Sequence, residues 1–162
     1  MSAEQLARRE FMRIGAATAV GIALTSSGTA APVRFPVTHT PSEWKRLLGP
    51  QRYHILREAG TETPFSSPLL KEHRKGTFNC AGCDQMLFLS STKFESGTGW
   101  PSFWKVIPGK VITRSDRSLV IERTEILCAR CGGHLGHVFN DGPKPTGLRY
   151  CMNGLALTFR PA

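Results

Sequence analysis

A chain of 162 residues with 40% hydrophobic content suits one soluble domain built around a single core. Its formal charge is +9, and +8 remains when residues 1–31 are set aside, so the excess belongs to the folded part. Lys and Arg are scattered, with no basic run and no aromatic interleaving. This favours a solvated basic surface over a nucleic-acid site, and no nucleic-acid partner is expected.

The chain opens with paired arginines, Arg8-Arg9-Glu10-Phe11, followed by an apolar run from Ile14 to Leu24 and then Ser26-Ser27-Gly28-Thr29-Ala30-Ala31. Basic, apolar and small-residue parts in that order make a secretory signal, and the apolar run is too short to span a bilayer. Arg8, Arg9 and Phe11 resemble a twin-arginine signal, although Ala7 stands where Ser or Thr is usual. The alternative is an uncleaved membrane anchor. The expectation is that residues 1–31 are a signal peptide cleaved after Ala30 or Ala31. The folded chain would then reach the bacterial periplasm with no lasting membrane association. That route carries proteins already folded, which suits a chain that binds metal as it folds.

Residues 32–162 read as one domain. Thr40-Pro41-Ser42-Glu43 is a capping box with proline in the first turn, predicting a helix to Leu48 with Trp44, Leu47 and Leu48 buried. Gly49-Pro50 breaks it. A second helix runs from Gln51 to Ala59 with Tyr53, Ile55, Leu56 and Ala59 as its apolar residues, stopped by Gly60. From Gly76 short runs alternate with turns. Strands are predicted at 77–79, 86–89, 111–114, 119–127, 135–139, 148–151 and 155–159, with turns at Gly97-Thr98-Gly99, Pro108-Gly109, Ser115-Asp116 and Asp141-Gly142-Pro143. This spacing predicts a mainly β fold, an antiparallel sandwich or open barrel with short N-terminal helices.

Four of the five cysteines form two similar knuckles, Cys80-Ala81-Gly82-Cys83 and Cys128-Ala129-Arg130-Cys131-Gly132. Two Cys-x-x-Cys pairs supply the four thiolates of a structural zinc site, in which glycine helps the backbone turn. The 44 residues between Cys83 and Cys128 place the knuckles on different hairpins, so one Zn2+ would clip the two halves of the sheet. Disulfides, which an oxidising compartment permits, and a thioredoxin-like dithiol are the competing readings; no βαβ pattern surrounds either pair.

The fifth cysteine lies in Arg149-Tyr150-Cys151-Met152-Asn153-Gly154. If the strand there runs on through Asn153, then Arg149, Cys151 and Asn153 share a face, and the guanidinium and amide give the electropositive surroundings that favour a reactive thiolate. Alone, such a cysteine is by default a small buried hydrophobe. Directly after the second knuckle comes Gly133-His134-Leu135-Gly136-His137-Val138-Phe139-Asn140-Asp141. His134, His137 and Asp141 there form a candidate acid/base group held in place by the metal. A second metal site or plain surface histidines are the alternatives, and His39, His54 and His73 are expected to face solvent. In Gly97-Thr98-Gly99-Trp100-Pro101-Ser102-Phe103-Trp104, the indole of Trp100 can face a small apolar or cationic group, unless both tryptophans are core residues.

Together these motifs resemble the B-type peptide-methionine (R)-S-oxide reductases, the MsrB family, from about Ser42 to Phe159. The resemblance implies two antiparallel sheets with N-terminal helices, one structural zinc on Cys80, Cys83, Cys128 and Cys131, and reduction of the R epimer of methionine sulfoxide in proteins or peptides. It further implies that Cys151 is the nucleophile that attacks the sulfoxide sulfur and ends as a sulfenic acid. His137 and His134, with Asp141, would bind and protonate the sulfoxide oxygen. Trp100 would receive the S-methyl group, with Arg149 and Asn153 lining the site. Many relatives carry a resolving cysteine where this chain has Thr98, and a carboxylate where it has Asn140. With no other free cysteine, the expectation is regeneration by a small thiol or a thioredoxin-like protein. A monomer is expected. A non-catalytic zinc-stapled binding module and a thiol-disulfide exchange protein are the rival classes. The first leaves Trp100, the histidine pair and Cys151 without a purpose, and the second lacks a redox-active pair near Cys151.

Overall fold

A computed structural model describes residues 33–118 and 121–162 of the chain. The signal peptide expected at residues 1–31 lies outside the described residues.

The first element, α1 (Pro41–Glu58), begins at the predicted capping box: the Glu43 N–H donates to the Thr40 hydroxyl (3.3 Å), and the Thr40 N–H donates to the Glu43 carboxylate (2.8 Å). Gly49, at φ 67° and ψ 171°, divides α1 into two helical segments, as Gly49-Pro50 predicts. Trp44, Ile55 and Leu56 are buried, whereas Leu47, expected inside, is 55% exposed. The stop also differs by one residue. Ala59, exposed to solvent, takes the left-handed conformation (φ 53°), and Gly60 packs beneath the exposed His54 ring.

Among the described residues nine strands follow: β1 (Gly76–Cys80), β2 (Met86–Leu89), β3 (Lys93–Phe94), β4 (Ser102–Phe103), β5 (Val111–Asp116), β6 (Arg123–Cys128), β7 (His134–Phe139), β8 (Arg149–Met152) and β9 (Leu157–Pro161). They form two antiparallel sheets, β2-β1-β9 and β3-β4-β8-β7-β6-β5. Phe78 of β1 and Phe88 of β2 pack on Phe103 of β4, with ring centroids 4.9 and 4.2 Å apart. All three rings are fully buried. At roughly 1.5–3 kcal/mol for each fully buried large apolar side chain, this cluster alone is a principal tie between the sheets.

Two strands, β3 and β4, were not predicted, because two residues carry no alternation to detect. β5 continues through Ser115 and Asp116, where a turn was expected. Cross-strand pairing wins there: Asp116 lies opposite Arg123, whose guanidinium donates to its carboxylate at 2.7 Å. The strand predicted from Leu119 begins at Arg123, with residues 119–120 outside the described residues.

Candidate active site

The two knuckles sit on different sheets. Cys80 ends β1, while Cys128 ends β6 and Cys131 lies in the turn into β7. Their four Sγ atoms all lie within 4.8 Å of one another, with Cys80–Cys131 at 3.7 Å and Cys83–Cys128 at 3.5 Å. No pair is at disulfide distance, and all four are free cysteines. A tetrahedron of sulfurs about 2.3 Å from a central ion has edges of about 3.8 Å, so the cluster has the dimensions of a four-thiolate metal site. Each knuckle turns on the residue after its second cysteine, in left-handed conformation: Asp84 (φ 59°) in the first and Gly132 (φ 68°) in the second. Gly82 lies in the first turn, as expected, but without the left-handed conformation. The Arg57 and Arg130 guanidinia donate to the carbonyls of Cys131 (2.9 Å) and Cys83 (3.2 Å), placing positive charge beside four potential thiolates.

Cys151 is separate from this cluster. It is half-buried at the middle of the six-stranded sheet, with His137 of β7 and Ser102 of β4 as its register partners on either side. The close approach of β7 requires glycine at 136, since a Cβ there would lie 2.2 Å from the Cys151 carbonyl oxygen. Trp100, His137, Cys151 and Asn153 line one cleft of about 110 Å³, together with Thr61, Arg123 and Phe139.

His137 is held from behind. Its Nε2 meets Asp116 Oδ2 at 2.8 Å, and the same oxygen accepts from Arg123 at 2.7 Å. Hydrogen bonds from Ser118, together with that from His137, hold the Asp116 carboxyl well below the usual carboxylate range. Burial lowers the His137 pKa below its ordinary 6.5, opposed by the Asp116 carboxylate. The neutral ring therefore keeps its proton on Nε2, facing Asp116, and leaves Nδ1 as an acceptor.

His134 does not line the cleft. It is buried behind His137, ring centroids 5.5 Å apart, with Nδ1 2.7 Å from Glu125 Oε1 and Nε2 buried without a partner. Asp141, expected beside the histidines, is instead an exposed carboxylate clasping Arg149 through two hydrogen bonds of 2.8 and 2.9 Å. Asp141 is acceptor-only and reaches the guanidinium across the β7–β8 turn, whereas each histidine takes its carboxylate from a neighbouring strand, His137 Nε2 from Asp116 and His134 Nδ1 from Glu125. Arg149 lies over the Phe139 ring at 4.3 Å, and its pKa is raised first by Asp141 and further by Cys151.

Asn153 lines the same cleft as Cys151, as expected, although strand β8 ends at Met152. It is buried with its amide directed to Leu135, and its Oδ1 accepts from the Glu62 N–H at 3.0 Å. Glu62 is the main residue that sequence reasoning missed. It is 6% exposed; its carboxylate accepts the backbone N–H groups of Gly154 (2.5 Å) and Leu155 (2.9 Å), and its carbonyl accepts from Trp100 Nε1 at 3.1 Å. One residue thus fixes the indole, the amide and the turn after Cys151, and its N–H partners offset the cost of burying a carboxylate. Nothing local marks it, since these partners lie 38 to 93 residues away in the chain. Asp116, read as part of a turn, was missed too, as were Arg123 and Glu125, whose charges inside a predicted strand run are a weak signal.

Thr98 stands over the sulfur. Its Oγ1 is 3.7 Å from Cys151 Sγ and 2.9 Å from the Ser96 hydroxyl, which lies 2.7 Å from that of Ser102; Ser102 donates to the Trp100 carbonyl at 3.1 Å. Trp100 and Trp104 are both half-buried, and neither is a fully buried core residue.

Fold and site define a two-sheet β protein, clipped by four cysteines, with a single cysteine facing a histidine–carboxylate pair and an indole. The SelR domain family matches residues 48–161. The chain is 53% identical over 126 residues to "Peptide methionine sulfoxide reductase MsrB" of Agrobacterium fabrum, an alignment covering 77% of this chain and 93% of the relative. It is 54% identical over 125 residues to the protein of the same name from Methanosarcina barkeri (76% and 88% covered) and 52% identical over 129 residues to that from Leptospira interrogans (79% and 98%). The chain belongs to the SelR-domain (MsrB) family.

Proposed function

We propose that this protein reduces the R epimer of methionine sulfoxide to methionine and so repairs oxidised proteins. The observation that carries the reading is the placement of Cys151. It is the one cysteine outside the metal cluster, and it lines the same small cleft as Trp100 and the Asp116-backed His137.

The residues divide the work. Trp100, steadied by Glu62, offers an apolar face to the S-methyl group. His137, neutral and accepting at Nδ1, takes the Cys151 thiol proton, and the thiolate attacks the sulfoxide sulfur. That proton returns to the departing oxygen, which needs it because a bare oxide leaves poorly. The oxygen ends on Cys151 as S–OH, and the substrate leaves as methionine. An external thiol then forms a mixed disulfide with Cys151 and releases water, and a second thiol frees the cysteine. Asp141 acts by holding Arg149 beside the reacting sulfur, and His134, backed by Glu125, supports His137 from within the core. Thr98 has no thiol to offer, which supports a one-cysteine cycle with an external thiol or thioredoxin-like reductant.

The four-cysteine cluster fits one structural Zn2+, on sulfur spacing and on ligand type. The ion would supply no chemistry at Cys151; Cys80, Cys83, Cys128 and Cys131 would hold it to clip the sheets. The leader at residues 1–31 supports export to the periplasm, and an exported protein still beginning at Met1 would overturn that part.

The deciding experiment is turnover of the R and S epimers with dithiothreitol, for wild type and Cys151→Ser. The expected result is R-only turnover, lost in the variant. Equal rates on both epimers, or full activity in the variant, would defeat the reading.

A further inference from the structure

The cleft of about 110 Å³ is small beside ligand pockets of roughly 300–1,000 Å³, so it holds a side chain and not the polypeptide that carries it. Neighbouring residues of a protein substrate must lie on whatever adjoins the cleft. One wall of the cleft, Trp100, also lines a second groove of about 320 Å³, formed with Phe65, Leu70, Lys71, Glu95 and Gly97 among others.

Phe65 is unusual on two independent counts. Its ring is 71% exposed, and its backbone has φ 64°, a conformation that bulky residues seldom adopt and that clusters at functional sites. The ring does not hang free. The Phe65 N–H donates to the Gly99 carbonyl at 2.7 Å, and a Cβ at Gly99 would lie 3.1 Å from the Phe65 ring, so the loop that carries Trp100 also fixes Phe65. Across the groove Gly97 leaves open space, with no atom within 4 Å of where its Cβ would be. A fixed, exposed aromatic beside an uncluttered backbone is a preorganised surface for an extended chain.

We propose that this groove is a subsite for the residue next to the methionine sulfoxide held against Trp100: Phe65 takes an apolar side chain there, and so favours an apolar neighbour over a polar one. The proposal rests on the reductase reading above and names the sequence context which that site selects.

The test compares kcat/KM, with dithiothreitol as reductant, on three substrates. These are a short peptide with methionine-R-sulfoxide between leucines, the same peptide with serines, and N-acetylmethionine-R-sulfoxide. Wild type should prefer the leucine peptide over the serine peptide by about tenfold, the effect of partly burying a phenyl ring. Phe65→Gly should lose that preference and keep its rate on the single residue. It should melt no lower than wild type, because glycine suits a left-handed backbone. Phe65→Tyr should keep the preference. An unchanged preference in Phe65→Gly, or an equal loss on all three substrates, would overturn the subsite. So would a loss seen only when thioredoxin replaces dithiothreitol, which would assign the groove to the reductant. A wild type inactive on all three substrates would instead remove the reductase reading itself, and the subsite with it.

Discussion

Five cysteines of one chain do two different things, and their surroundings decide which. Cys80, Cys83, Cys128 and Cys131 converge with all four sulfurs within 4.8 Å of one another at the seam of two sheets, three of the four buried, with backbone turns and arginines shaped around them. Cys151 sits at mid-sheet, half-buried, and meets a hydroxyl, an imidazole and an indole. Sulfur placed among sulfurs suits a ligand set that would contribute rigidity. Sulfur placed alone in a cleft, with a histidine whose proton is pinned by a carboxylate, is the reactive centre of the function proposed above. The few residues from Cys131 to His137 are a short link in the chain between the two regions, so the clip bears on the chemistry by fixing where β7 starts.

The largest effect should come from the clip. Cys80→Ser, or removal of metal by a strong chelator, should unfold the domain, because structural zinc contributes on the order of 10 kcal/mol of folding free energy. Loss of the circular dichroism transition checks this, and a stripped protein that melts unchanged would break the division of labour. Next, Cys151→Ser should abolish turnover and leave the melting temperature and bound metal unaltered. A drop in stability comparable to that of Cys80→Ser would mean the fifth cysteine is structural as well.

Asp116→Asn should lower kcat by about 10²-fold, the low end of what a positioned acid–base group contributes. The accompanying pH shift has a definite sign. Burial lowers the His137 pKa and the Asp116 carboxylate partly opposes it, so removing that carboxylate moves the pKa further down. With the neutral ring as the working form of the proposed mechanism, the acid limb of the rate profile should move to lower pH. An acid limb that stays in place would detach His137 from proton transfer.

Glu62→Gln should cost about 1.5–3 kcal/mol of stability, from weakened charge-assisted bonds to Gly154 and Leu155, and raise KM by loosening Trp100. Urea unfolding and steady-state kinetics measure the two parts. The smallest effect on rate should come from Thr98→Cys. With dithiothreitol its turnover should match wild type, yet oxidation by substrate should now yield an internal disulfide seen as the loss of two hydrogens by mass spectrometry, given the 3.7 Å approach to Cys151.

What the sequence disclosed followed the range of the signals. The helix start at Thr40, the break at Gly49 and both knuckles are local patterns, and all stand where the residues placed them. The cleft was legible in part, because Trp100, His137 and Cys151 each sit in a distinctive short motif. Asp116, Arg123, Glu125 and Glu62 were not, since each acts through partners brought close only by strand pairing or by chain reversal. Strand β4, which pairs directly with Cys151, was too short to show a period. Asp141 illustrates the reverse error, in which proximity in sequence to His137 suggested a partnership that belongs to Asp116.

The central strand of the small sheet, β1, is flanked by β2 on one side and on the other by β9, whose residues come almost eighty positions later. As the chain emerges in order, Cys80 is in place early, and both knuckles can meet once Cys131 has appeared. Yet β1 keeps one row of backbone donors and acceptors open until residues 157–161 arrive to cover it. Closure of the domain is therefore a late and long-range event, of the kind that slows folding and exposes an unpaired edge in the meantime. A truncation before Leu157 should leave an intact cleft motif on a chain that aggregates.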